Sequence, residues 1–275
     1  MAIRRTGSAK KTLDTAPIIH LWLLRILVPL GGHREFIHRH GFNNDAIAEK
    51  LGLTEWIDPA PRDFEPKTVR SELRKLHKLG EQKFCNVTPS TCLQGNIARL
   101  AALVSLSDTD CRILELSVMI HSEQVLDDAA DWLGRLSTMK LFHALSVLLD
   151  ISENMIRAAL SPQGILARSG LLSVERSNNS MLRGKLELLS DSFADHISSS
   201  DADPISLLRD TVALASPGQL EIADYQHIDA SLSVLRPYLK QSLTTGRKGV
   251  NVFLHGDPGT GKSQLTKALA KELDC

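Results

Sequence analysis

Residues 256–263 read Gly-Asp-Pro-Gly-Thr-Gly-Lys-Ser. Their types and spacing suit one kind of chemistry, the cradling of a polyanion. Glycines at 256, 259 and 261 let the backbone curl closely around a phosphate without a Cβ in the way. The N–H groups of Gly259, Thr260, Gly261, Lys262 and Ser263 then point inward as an anion nest. A helix starting at this point adds the positive end of its dipole. Lys262 reaches the β- and γ-phosphates as a mobile point charge, and the Ser263 hydroxyl is placed to ligate Mg²⁺. The backbone N–H of Gln264 is directed toward the α-phosphate. With Asp257 and Pro258 filling the variable positions, the octet satisfies the P-loop pattern at every fixed position. The expected ligands are ATP and Mg²⁺.

Such a loop needs a strand before it and a helix after it. Val250-Asn251-Val252-Phe253-Leu254 is the β-branched and aromatic run of a buried parallel strand. Leu265, Ala268, Leu269 and Leu273 mark one face of the following helix. Upstream, Ser216-Pro217-Gly218 reads as a turn. Asp224 is the expected cap of a helix bearing Ile228, Leu232, Leu235, Leu239 and Leu243. Pro237 should bend or split that helix, and Gly246 ends it.

The octet resembles the P-loop of AAA+ ATPases, which usually reads Gly-x-Pro-Gly-Thr-Gly-Lys-Thr/Ser. The likeness extends over roughly residues 205–275, since that family also places a helix before its first core strand. It implies that Tyr225, His227 and Ile228, at the start of that helix, line the adenine pocket; core packing explains them equally well. In that family the acidic second strand, the polar sensor and the neighbouring subunit's arginine all lie beyond the first helix. The sequence stops at Cys275, so the expectation is a fragment that binds ATP weakly and turns over none. The resemblance also implies a homo-oligomeric ring for the full-length protein and a protein or nucleic-acid client.

The rest of the chain reads as mainly α. A basic tail covers 1–12 and a helical region covers 13–85. Within it lie a buried helix from Leu13 to Leu30, a short helix Asn43–Leu51, a loop at Asp58–Arg62, and a helix from Pro66 that Gly80 ends. The outer face of that last helix is basic (Lys67, Arg70, Arg74, Lys75, Lys78). After a linker at Asn86–Ser90, a helical and winged-helix-like domain spans 91–197. Ser107 to Asp110 has the form of a capping box, and a helix follows at Val125–Leu133. Ser137 and Ser152 are candidate caps for helices running to Leu149 and Leu160. Two strands, Leu171–Glu175 and Leu182–Leu189, flank a Ser/Asn turn. The run from Leu148 to Glu175 resembles winged helix-turn-helix modules. A linker at 198–223 leads to the truncated AAA+ segment, 224–275.

A DNA-binding regulator with a nucleotide switch is the first rival reading, with Asn154, Arg157, Arg176, Arg183 and Lys185 as the contacts. Few polar readers and an opposing Glu153 favour protein interaction instead. The second rival is a non-catalytic interaction module.

Lys+Arg and Asp+Glu are both 32, so net charge points to no partner; the first 85 residues carry 15 of the former against 10 of the latter. That mild bias suits a solvated surface. Cys85, Cys92, Cys111 and Cys275 lack zinc spacing. His33, His38 and His40, with only Glu35 beside them, read as a surface patch rather than a metal site. The apolar run Ile18–Leu30 is too short to span a bilayer and carries His20 and Arg25. No membrane partner and a cytoplasmic location are expected.

Overall fold

The computed structural model describes residues 16–57, 64–84, 90–177, 179–190, 192–199, 216–247 and 249–274. The expected basic tail, the 58–62 loop, and most of the linkers at 86–90 and 198–223 lie outside them. The chain divides into two units, Met1–Val212 and Ala213–Cys275.

The first unit opens with α1 (Ala16–Leu27). Its apolar residues occupy almost every side, and those from Ile18 to Leu27 are nearly all buried. Arg25 is buried among them and is fully engaged. Its Nε and Nη2 each donate to the Glu81 carboxylate at 2.7 Å, and Nη1 donates to the Leu148 carbonyl at 2.7 Å. A short α2 (His33–Phe36) follows, and then α3 (Asp45–Lys50), capped by Asn44 on the Ile47 N–H. The next helix, α4 (Pro66–Phe84), continues past Gly80, where a stop was expected. The physical reason is packing: a Cβ at Gly80 would lie 2.9 Å from Leu24 Cδ1, so the glycine admits α1 to close approach.

Beyond the undescribed 85–89, Ser90 caps α5 (Thr91–Val104) through the Leu93 N–H. The capping box forms as read: Ser107 and Asp110 satisfy each other's backbone N–H at the start of α6 (Asp108–Ser122). This helix is central, packed by α5, by α7 (Gln124–Asp131) and by α8 (Thr138–Leu149), with Ser137 capping the latter. Ser152 precedes α9 (Glu153–Ala159) but makes no side-chain cap bond; Glu153 instead takes the His143 ring at 2.8 Å. α10 (Ile165–Ser169) ends at Gly170, which is left-handed at φ 74°.

A two-stranded antiparallel sheet then pairs β1 (Leu172–Val174) with β2 (Leu186–Leu188), Leu172 opposite Leu188. The second strand is shorter than expected, because Leu182–Lys185 makes one helical turn, α11. That turn carries Lys185 into the interior. α12 (Phe193–Ser199) packs on α5 and α6. The unit is thus mainly helical around one continuous core. Residues before 85 and after 90 share that core, from Leu23 and Val69 to Leu116 and Leu145. The expected division at 86–90 does not separate two cores.

In the second unit a 3₁₀ segment, Ile222–Ile228, leads into α13 (Asp229–Thr244). Asp224 does not cap α13 as expected: its carboxylate accepts the Glu221 N–H at 2.8 Å in the capping box of the 3₁₀ segment, and α13 starts after Ile228 with no side-chain cap. Pro237 lies inside α13 without splitting it. Residues 250–254 carry no strand. A strand requires a hydrogen-bonded neighbour, and none pairs with this run among the described residues; Phe253 is 86% exposed. The last helix, α14 (Lys262–Leu273), packs Leu265 and Leu269 against Tyr225 and Leu232. Arg236 Nε on α13 donates to Glu272 at 2.8 Å, joining the two helices.

Candidate functional site

The octet forms a tight bend opening onto the N-terminus of α14. Gly256, Gly259 and Gly261 have φ of 146°, 84° and 81°, backbone that a side chain rarely adopts. The bend is pinned from inside: Thr260 Oγ1 donates to the Asp257 carbonyl at 2.9 Å. Lys262 folds back across it, its ammonium donating to the Gly256 and Asp257 carbonyls at 2.9 and 2.7 Å. Leu265 N–H closes the first helical bond on the Gly261 carbonyl at 2.8 Å. The N–H groups of Lys262, Ser263 and Gln264 precede that bond and have no partner within the helix. The bend thus holds one ammonium on its carbonyls and is followed at once by three amides without a helical acceptor, with Ser263 exposed among them.

Next to this mouth is a cavity of about 260 Å³, lined by Tyr225, His227, Ile228, Leu254, His255, Gly256, Thr260, Lys262 and Leu265. Small-molecule sites usually span about 300–1,000 Å³, so the space suits part of a ligand whose remainder lies in the open loop. The three residues assigned to an adenine pocket all line it. Tyr225 is buried, His227 exposed and Ile228 half-buried. Packing and lining are not exclusive here, since Tyr225 belongs to the small core as well.

Sequence reading missed what Tyr225 does beyond that. Its hydroxyl donates to the Gly261 carbonyl at 2.9 Å, bracing the residue at which the bend becomes a helix. Burial pushes the phenol above its ordinary value, so it is a neutral donor. A Cβ at Gly261 would lie 3.2 Å from that hydroxyl, a second reason for glycine there. Gln264 is engaged from behind: its Oε1 accepts the Gln219 N–H at 2.8 Å. Leu254, read as the end of a strand, and His255, next to the octet, also line the cavity. The strand-then-loop pattern was the available signal for them.

No cluster of three or more His, Cys, Asp or Glu side chains able to hold a metal occurs among the described residues. A magnesium ion would have Ser263 as its protein ligand, with phosphate oxygens and water completing the oxygen shell Mg²⁺ requires.

Of the five residues offered for DNA contact, three are engaged elsewhere. Lys185 is wholly buried, its ammonium donating to the Glu175 carbonyl at 2.8 Å and to the Ser177 carbonyl, so it cannot meet phosphate. Arg183 pairs with Asp127 at 2.7 Å. The Arg157 guanidinium lies over the Phe142 ring, 5.5 Å from its centroid. Of the histidine patch, His33 bonds the Leu27 carbonyl through Nδ1 at 2.8 Å. No helix among the described residues is long and apolar enough to cross a membrane. Compared with protein-family models, with curated proteins and with solved structures, the chain matches none.

Proposed function

We propose that residues 216–274 are a nucleotide-binding module that holds the phosphates of ATP, of the AAA+ type its octet resembles. One observation carries the reading: the Lys262 ammonium, held by two loop carbonyls, stands at the mouth of a helix whose leading amides have no partner in the helix. Polyphosphate offers that ammonium acceptors of opposite charge, an attraction the neutral loop carbonyls cannot match. On binding, Lys262 exchanges carbonyls for β- and γ-oxygens, and the amides of the α14 first turn complete the cradle. Ser263 presents its hydroxyl to Mg²⁺, which when bound neutralises phosphate charge. Tyr225 fixes the Gly261 carbonyl and, with His227, Ile228 and Leu254, offers the base an apolar wall. The helical unit before it serves client recognition, and ring assembly belongs to the same reading.

Isothermal calorimetry with Mg-ATP tests it. Lys262→Ala should weaken binding about 10- to 100-fold, the loss of a charged hydrogen bond of roughly 1.5–3 kcal/mol. Ser263→Ala should leave ATP affinity in EDTA unchanged while reducing the gain from Mg²⁺. Equal affinity of wild type and Lys262→Ala would overturn the assignment.

A further inference from the structure

Away from the loop, the first unit carries a groove that the nucleotide reading does not use. It has a volume of about 490 Å³ and lies between α1 and the end of α4, walled by His20, Leu76, Leu79 and Phe84. The apolar character is real at the surface: Leu79 is 59% exposed, whereas a leucine on a helix's outer face is ordinarily replaced by a polar residue. Gly80 also lines it, with Leu24 packed close against the glycine from the core side. The walls are fixed. His20 stands edge-on to Phe84 at 5.7 Å and is anchored through Nδ1 on the Lys50 carbonyl at 3.1 Å. Burial lowers its pKa, leaving the ring neutral and compatible with an apolar guest.

One ammonium, that of Lys83, lines the groove, and Lys78 is exposed on the same helix beside Leu79. Lys83 stands over Phe84 with its ammonium 5.2 Å from the ring centroid, and Lys78 has no ion-pair partner among the described residues. Lys75, one turn back, is exposed beside its Glu72 partner. Both carboxylates of α4 are paired within the unit, Glu72 with Lys75 and Glu81 with Arg25. An apolar trough with an ammonium border complements a chain of the opposite pattern. We infer that the α1–α4 groove docks an acidic amphipathic helix of a partner protein. Its leucine-like side chains, spaced three and four apart, enter between Leu79, Leu76 and Phe84, and its carboxylates meet Lys78 and Lys83. This is the helix-in-groove mode of recognition, and it stands independently of ATP binding.

Three synthetic probes test the inference on the full chain by fluorescence anisotropy at fixed salt: an amphipathic Leu/Glu helical peptide, its Leu/Lys counterpart, and a scrambled Leu/Glu peptide. The Leu/Glu helix should bind best. Leu79→Asp, at an exposed position and checked for an unchanged melt, should weaken it about tenfold, the loss typical of an interface anchor. The double change Lys78→Glu with Lys83→Glu should invert the preference toward the Leu/Lys peptide. Indifference to Leu79→Asp, or equal binding of the helical and scrambled peptides, overturns the proposal. So does tight binding of duplex DNA that Lys78→Glu abolishes and Leu79→Asp leaves intact, which would make α4 a nucleic-acid surface.

Discussion

Two buried or half-buried charges in the first unit carry consequences that can be read from their surroundings. Glu115 lies on α6, and burial pushes its carboxyl from an ordinary 4.5 up to about 7, with Arg112 offsetting part of the effect. A folded-state pKa above the unfolded one means the folded chain holds the proton more tightly. Its stabilising effect is complete below about pH 4.5 and is lost as pH rises through 7. Wild type should therefore lose about 2 kcal/mol between pH 5 and 8 relative to Glu115→Gln in urea unfolding. Parallel pH profiles for the two proteins would contradict this. Lys185 is the opposite case, a charge that burial has left paired. Its ammonium satisfies the Glu175 and Ser177 carbonyls and stands 3.3 Å from the Glu175 carboxylate. Lys185→Met keeps the apolar stem but strips those acceptors of their donor. A loss of about 2–4 kcal/mol is expected from unsatisfied buried groups, measured by the same unfolding experiment.

At the level of elements, much was legible wherever the determinant was local. Ser107 with Asp110, and Ser137 before α8, announce helix starts because a cap involves residues two or three apart in the chain. The octet is legible for the same reason: its curl depends on its own glycines. What sequence hid depends on partners distant in the chain. Gly80 looks like a stop signal, but α4 continues because Leu24 occupies the space its side chain would take. Val250–Leu254 has the composition of a strand, but pairing is a property of two segments and composition belongs to one. Leu182–Lys185 turns helically where a strand was expected, and its Lys185 is buried on the Glu175 and Ser177 carbonyls, partners outside the segment. The Gly80 argument makes a graded prediction. Alanine gains about 1 kcal/mol of helix propensity against a contact with the flexible end of a leucine, so Gly80→Ala should stay within about 1 kcal/mol of wild type. Gly80→Val adds branched bulk at the same point and should cost about 2 kcal/mol by overpacking. Chemical denaturation of both variants distinguishes this packing role from a helix-ending one, in which alanine would be the harmful change.

Over the whole molecule, the contrast between the two units decides where ligand binding will be felt. The first has a continuous core running from α1 through α12. The second rests on Tyr225, Leu232, Leu265 and Leu269, with Ile222, Ile228, Leu235 and Leu254 at their margins, and it leaves Val252 and Phe253 at the surface. Little apolar area is removed from water there, so local opening of 216–274 should cost much less than opening of α6. The proposed cradle sits wholly on the weaker unit, bridging the octet, the first turn of α14 and Tyr225. A ligand that binds only the closed form of that unit adds RT ln(1 + [L]/Kd) to its opening free energy. At 100-fold excess over Kd this is about 2.7 kcal/mol, or about 100-fold in exchange rate. Amide hydrogen exchange should then show α14 slowed by roughly that factor in Mg-ATP, with α6 unchanged and the effect absent in Lys262→Ala. If α6 slows as much as α14, the nucleotide acts on the whole chain and the division into separately stabilised units is wrong. If neither slows at saturating Mg-ATP, the amides around Lys262 do not hold phosphate.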